Sequence, residues 1–386
     1  MSGISYLGDI NSVRLKVFYQ SDSGSTREPS PMPSQKSKKT RTISLCIPST
    51  CINRSACHSL QQATHTAHQI ARAAIHYGAS EIVIYDVKES KPQGGEDDAQ
   101  HPKKIVFDND DNSKDKDGEE GDGKDQSPMS AEANQLAELL QFFITPSYLR
   151  NLMFAHDQLK GLQYAKKLPK LPRLPFLSHN KSNRYLEGLT VSGRVEKFKR
   201  GSRKSKKQLH LESTTDLVNV GGQELVKLKE QRVPLDARVT VDVQEQKVVS
   251  AKVAYASDTN GPWNNHSSTF GYTVRTAPSF GRVFVESIYE GGYTFTAYAP
   301  SEYFTNEQQK PKIAAVDANG LMNKDKVHLL VVVGRWEEIE QAVKDDKQDL
   351  DVVDDASTLF DGQLNINGNN RVEDCVLMTL SKLEGI

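Results

Sequence analysis

Cysteine is scarce in this 386-residue chain, with four in all. That scarcity excludes a fold built on disulfides and points to a reducing compartment. Long hydrophobic runs are missing as well. No stretch approaches the ~20 apolar residues that a spanning helix needs, which excludes a membrane protein of that kind. The first twenty residues break up their apolar positions with Asp9, Arg14 and Lys16, which is not the pattern of a secretory signal. Aromatic residues make up 7% and hydrophobic ones 37%, below the roughly 45–50% usual for globular chains, a figure that also counts glycine. Part of the chain is therefore expected to stay unpacked. Net charge is nearly absent, with 49 Lys and Arg against 50 Asp and Glu. These absences predict a soluble intracellular protein of two or three folded units, at roughly 100–200 residues each.

The charge balance hides segregation. Residues 88–125 hold thirteen acidic side chains and seven lysines, and such a stretch buries too little apolar surface to offset its ordering entropy. It reads as a disordered acidic insertion over 88–129. Residues 194–210 reverse the sign, with eight Lys and Arg against Glu196 alone. Residues 1–40 end in a Ser- and Pro-rich, then basic, stretch that reads as a flexible arm. A chain neutral overall but this basic locally suggests a polyanionic partner, although a solvated loop is the blander account of such a run.

Residues 42–47 (TISLCI) and 81–87 (EIVIYDV) are β-branched runs that read as buried strands. Between them, Leu60, Ala63, Ala67, Ile70, Ala71, Ala74 and Ile75 recur at helical spacing, with Asn53 or Ser55 as the expected cap and Gly78 just past the end. Strand, helix, strand makes a βαβ unit and a parallel sheet covered by helices. Helices are expected over 131–143 and 148–159, then a stiff linker at 169–175. Residues 185–260 change character, to short alternating strands parted by Gly, Pro and charge, which suggests a small oligonucleotide-binding barrel. Beyond it, strands are expected at 282–286, 293–297 and 327–333. Helices are expected at 336–344 and 371–383, the last opened by a capping box of Asn370 and Glu373. Loops at 297–302, 334–335 and 365–370 then follow strand ends, where open α/β sheets bind ligands. The six aspartates of 345–355 lack the spacing of a calcium loop and read as a solvated helix end. His65 and His68 share a helix face near Cys51 and Cys57, but without a Cys-x2-Cys pair no metal site is expected.

The stretches TISLCIPST (42–50), HQIARAAIHYGASEIVIYDV (68–87), TPSYLR (145–150), EGLTVSGRV (187–195), GYTVRTA (271–277), VVVGRWEEIE (331–340) and LFDGQLNINGNNRVEDCVLMTL (359–380) occur in this order. Together they resemble the SPOUT class of RNA methyltransferases, in the eukaryotic and archaeal group whose catalytic domain carries an inserted OB-like barrel. The resemblance implies an α/β fold with a parallel sheet and a trefoil knot, an exception to the unknotted rule. It divides the chain into a knotted domain at 41–180 and 268–386 with the barrel at 185–260 between. It implies S-adenosylmethionine as cofactor, ribosomal or pre-ribosomal RNA as partner, a homodimer or a heterodimer with a paralogue, and a place in the nucleus, at the nucleolus. Cofactor contacts are expected at Thr296, Ala297, Gly334, Asn365, Ile366, Asn367 and Gly368. RNA contacts are expected at Arg72 and Arg275, for which pairing with a carboxylate such as Asp86 is the structural alternative, and at Lys197, Lys199, Arg200, Arg203, Lys204, Lys206 and Lys207 in the basic run. No side chain stands out as a catalytic base.

Two functions follow from these residues. One is an enzyme that aligns an activated sulfonium with an RNA nucleophile, a task that needs few catalytic side chains. The other is an inactive RNA-binding assembly factor of the same fold. The loops separate them, because Tyr298 and Pro300 stand where the family tends to carry Gly-Thr-Ser, and only one of a glycine pair, Gly334, remains before Arg335. Tyrosine and proline there remove backbone freedom and an amide donor.

Overall fold

A computed structural model describes residues 40–87, 129–171, 174, 184–192, 213–222, 224–250, 254, 271–301, 311–316, 326–346, 348–351, 353–367 and 369–384. The N-terminal arm, the acidic insertion, the basic run of 194–210 and Gly368 lie outside the described residues.

The first strand, β1 (Thr40–Pro48), leads through a 3-10 turn into α1 (Leu60–His76) and returns in β2 (Glu81–Tyr85). The helix starts later than its apolar spacing suggests. Its cap is neither Asn53 nor Ser55 but Ser59, whose hydroxyl accepts from the Gln62 N–H at 3.3 Å. Gly78 ends the connection at φ 71°, where the Gly78 and Ala79 amides donate back to Ile75 and Ala74. That is the hydrogen-bond pattern of a glycine-closed helix end.

Helix α2 (Ala131–Phe143) is capped by Ser130, and the expected helix at 148–159 is broken into α3 (Arg150–Met153) and α4 (His156–Gly161). Then come β3 (Tyr185–Thr190), β4 (Thr214–Thr215), β5 (Leu217–Asn219), β6 (Val226–Lys227), β7 (Val233–Pro234), β8 (Arg238–Asp242) and β9 (Lys247–Val249). The chain continues with β10 (Thr273–Ala277), α5 (Phe280–Val285), β11 (Phe295–Pro300), β12 (Lys326–Gly334), α6 (Trp336–Asp345), β13 (Gly362–Gln363) and α7 (Val372–Glu384). Among the described residues no helix is long and apolar enough to cross a membrane.

Six strands form one sheet in the order β10-β2-β1-β12-β11-β13, all parallel. Parallel strands covered on both faces read as continuous apolar runs rather than alternating ones, and β1, β2 and β12 do so. Ile43, Leu45, Ile47, Ile82, Ile84, Leu329 and Val331 pack with α1, α2 and α7. Cys46, Val83, Tyr85, Leu330 and Val332 face the opposite layer of α5 and α6. Residues more than 250 positions apart are thus direct neighbours: Leu45 sits opposite Val331 in register.

Residues 185–249 build a separate antiparallel sheet, β6-β5-β3-β8-β9, with a small apolar centre around Val218 and Val241. Arg238 bolts it to the rest. Its guanidinium meets Glu187 at 3.3 Å and the Ile144 carbonyl at 3.0 Å, while the Tyr148 hydroxyl donates to the Glu187 carbonyl at 2.9 Å.

Three sequence expectations are corrected. Residues 282–286 do not form a strand but most of α5, whose alternating apolar side chains suit either element over so short a run. The strand that follows begins at Phe295 rather than 293 and runs on to Pro300. The aspartates of 345–355 are only partly solvated: Asp346 is buried and accepts from the Gly281 N–H at 2.7 Å, and Asp349 pairs with Arg282 at 2.8 Å.

Candidate functional site

The carboxyl ends of β11, β12 and β13 lie side by side. Pro300 is in register with Gly334 and Tyr298 with Gln363, and the Ser301 and Leu364 amides donate to Gly334 and Tyr298 at 3.2 and 2.8 Å. The three loops expected to form a ligand pocket therefore open on one edge of the sheet. Their boundaries shift, however. Thr296 and Ala297, expected in a cofactor loop, are buried within β11, where the Thr296 amide is held by Asp361 at 2.7 Å. Tyr298 and Pro300 also belong to the strand. Tyr298 packs against Trp336 and Phe360 under α6 and donates its hydroxyl to the Gly334 carbonyl at 3.2 Å. The first loop thus begins at Ser301, and the residues that looked like obstructions are part of its floor.

At this edge two buried hydroxyls, Ser301 Oγ and Tyr85 Oη, have no hydrogen-bond partner among the described residues. An unpaired buried hydroxyl is costly and calls for an explanation such as a water or a ligand. Tyr85 Oη lies 2.8 Å from where a Cβ on Gly334 would stand, so glycine is required there by contact. Burial pushes the Tyr85 hydroxyl well above its ordinary range, so it stays protonated as a donor.

The third loop is tied down from behind. Asn367 closes an Asx turn on the Asn369 amide at 3.1 Å and accepts from Asn370 Nδ2 at 3.0 Å on its carbonyl, while Lys382 reaches the Asn365 carbonyl at 2.6 Å. The Asn365 and Asn367 side chains stay exposed, and Ile366 is half-buried. Helix α7 begins one residue later than expected, with the Arg371 carbonyl accepting the first helical bond from Cys375. The expected Asn370–Glu373 capping box is therefore replaced by an Arg371–Glu373 ion pair at 3.0 Å.

Immediately beside that loop a cleft of about 490 Å³ opens between α1, the start of α7 and residues 164–168. Arg371 stands at its wall, bound to Glu373, to Thr66 Oγ1 at 3.4 Å and to the Ala56 carbonyl at 3.3 Å. Burial pushes the Glu373 carboxyl up, against the opposing pull of its own backbone N–H and of Arg371. Opposite, Lys167 lies over the Tyr164 ring at 5.6 Å. Sequence reasoning missed this wall, although 164–170 (YAKKLPK) sets basic residues beside an aromatic ring.

Of the expected RNA contacts, Arg72 is exposed on α1, on the face that also carries Gln61 and His65. Arg275 is largely buried and structural. Its guanidinium bonds Glu81 at 2.9 Å, the Arg282 and Val283 carbonyls and the Tyr293 hydroxyl. The Arg275 carboxylate partner is thus Glu81 and not Asp86, which instead ties Ser49 to Ser130. The lysines and arginines from Lys197 to Lys207 lie outside the described residues. Among the described residues, no three His, Cys, Asp or Glu side chains group as metal ligands.

A family described as "Putative RNA methyltransferase" matches residues 42–383. "Putative methyltransferase YMR310C" of Saccharomyces cerevisiae is 31% identical over 351 residues, covering 90% of this chain and 95% of that protein. A second yeast protein, "Putative methyltransferase YGR283C", is 28% identical over 88% of this chain and 87% of its own length. The "28S rRNA (uridine-N(3))-methyltransferase" of Mus musculus is 26% identical over 89% of this chain and 76% of its own. With strand ends converging on one edge and a match that spans both sheets, this chain belongs to the RNA methyltransferase family.

Proposed function

We propose that this chain is an S-adenosylmethionine-dependent methyltransferase of the SPOUT class that modifies ribosomal RNA during ribosome assembly. The observation that carries this reading is the shared carboxyl edge of β11, β12 and β13, with two buried hydroxyls beside Gly334 that are unpaired among the described residues. A ligand with hydrogen-bonding edges would satisfy them, and two hydroxyls beside a half-buried Ile366 suit an adenosine. Ser301, Gly334, Ile366 and Asn367 would hold the cofactor, with Gly368 in the same loop. When bound, S-adenosylmethionine supplies an activated methyl group.

The chain's own residues mainly bind and orient, which is what such a reaction needs. Gly334 keeps the edge open, Tyr298 and Trp336 form an apolar floor, and the Asn367 turn fixes the third loop. The relatives' names support ribosomal RNA as substrate and uridine as the target base. The resemblance extends the proposal to a trefoil-knotted C-terminal segment, an OB-like barrel in residues 185–260, a dimer, and a nucleolar location. The inactive-factor reading loses one of its supports, because Tyr298 and Pro300 sit in the strand and not in the loop, while the single glycine before Arg335 stays on its side.

The test is methyl transfer from labelled S-adenosylmethionine to unmodified large-subunit ribosomal RNA, followed by nucleoside analysis. A labelled methyluridine is expected, and RNA labelled no more than without protein would overturn the reading. Replacing Ser301 with Ala should weaken cofactor binding about five-fold, since a hydrogen bond contributes ~1 kcal/mol.

A further inference from the structure

We propose that the cleft beside α7 is the seat of a single-stranded RNA nucleotide, its base stacked on Tyr164 and its phosphate held by Lys167 and Arg371. This rests on the methyltransferase reading and deepens it, by giving the acceptor a place next to the cofactor loop.

Four observations converge on the cleft. First, its volume of about 490 Å³ is in the range of small-molecule sites, roughly 300–1,000 Å³. Second, it combines an aromatic face with cations. Tyr164 is half-buried with Lys167 over one side of its ring, and Lys167 and Arg371 line the same cleft and are exposed. Stacking platforms beside positive charge are how proteins grip single-stranded nucleic acid. Third, the cleft is pre-organised. The Arg371 guanidinium is anchored to Glu373, Thr66 and a main-chain carbonyl, which leaves it little rotamer freedom to lose on binding. Fourth, its location is right. Arg371 directly follows Asn370, the end of the loop expected to hold the methyl donor. Lys166 and Lys170, near Lys167 in sequence, are exposed too, as is Arg72 further along α1. The cleft lies on the α1 face of the sheet and draws on none of the basic residues between Lys197 and Lys207.

Tyr164 was not singled out by the sequence because no periodic pattern marks it. Only the fold brings residue 164 within reach of residue 371.

The experiment measures binding of a short fluorescein-labelled oligouridylate to the full chain by anisotropy across a salt series, with S-adenosylmethionine titrated separately by calorimetry. Tyr164→Leu should weaken RNA binding about ten-fold, given ~1–3 kcal/mol per stacked base, whereas Tyr164→Phe should keep it. Lys167→Gln should lower the slope of log affinity against log salt by about 0.7, the value for one phosphate contact on a single strand. Lys344→Gln, on the opposite layer, should change neither quantity. Lys167 is exposed, so its variant decides the matter even if Tyr164→Leu unfolds. Unchanged affinity and slope in the Tyr164→Leu and Lys167→Gln variants would overturn the proposal. So would a Tyr164→Leu protein that sediments as a smaller species while binding RNA normally, since the cleft would then be an interface between two copies. A wild-type chain that binds RNA through Tyr164 but never titrates with S-adenosylmethionine would sink the function proposed above and leave the cleft standing.

Discussion

Gly334 shows how little room the edge of the sheet leaves. A Cβ there would stand 2.8 Å from the Tyr85 hydroxyl, inside a fully buried ring stacked edge-on against Phe280. Gly334→Ala should therefore cost about 1–3 kcal/mol, the usual range for overpacking. Adding Tyr85→Phe should recover part of it, because the offending oxygen makes no hydrogen bond among the described residues; urea melts of the two singles and the double measure this. His68 gives a pH signature. Its ring is buried against Phe143 with Nε2 bonded to the Pro169 carbonyl at 3.0 Å, and burial lowers its pKa. The unfolded chain, with an ordinary value of ~6.5, then binds the proton more readily. His68 stabilises the fold above about pH 6.5, and that contribution is lost as pH falls from there toward the folded value. Glu373, raised by burial, acts in the opposite sense at lower pH, so the comparison must be with a variant. Thermal melts of wild type and His68→Gln between about pH 7.5 and 5.5 should show the steeper acid loss in wild type. All four cysteines are buried, and burial pushes the Cys46 thiol well up. Ellman's reagent should find no thiol in the native protein and four after unfolding.

At the scale of elements, what was legible in the sequence followed from periodicity. The Ala-rich face of α1 and the β-branched runs of β1, β2 and β12 carry strong patterns, and each forms where that pattern falls. Each misreading has a physical cause. Helix α5 spans six residues, too few for a 3.6-residue period to be told from alternation. Its placement depends on Asp346 and Asp349, which approach Gly281 and Arg282 from more than sixty positions away. The cap of α1 was misplaced because Asn53 and Ser55 are equally good capping chemistry, yet they hold the preceding turn, where Ser55 donates to Asn53 Oδ1 at 2.7 Å. Ser59→Ala should cost ~1 kcal/mol, as N-caps do. The join between the two sheets is the more sensitive element. Arg238 and Glu187 are buried with side chains 2% and 0% exposed, so truncating one leaves the other charge unpaired. Arg238→Ala should destabilise by about 3–5 kcal/mol, read as a shift of the urea midpoint. Substituting both partners with apolar residues should cost less than the single change.

Across the whole molecule, the sequence order of the elements says little about which of them meet. Strands from residues 40–85 and from residues 273–363 interleave in one sheet, with β12 inserted beside β1 rather than beside β10. Local pattern supplies candidate strands, but register between Leu45 and Val331 is a matter of shape and burial that no local window contains. The site was legible for the same reason in part only. Loops at strand ends could be named because parallel sheets place ligands there. The boundary at Ser301, the burial of the Ser301 and Tyr85 hydroxyls and the cleft wall at Tyr164 arise only when distant segments pack. Titration calorimetry of the intact chain with S-adenosylmethionine tests the central claim most directly. A saturable, one-site binding heat that weakens in the Ser301→Ala protein is expected. A chain that stays folded yet gives no saturable heat at millimolar cofactor would contradict the account.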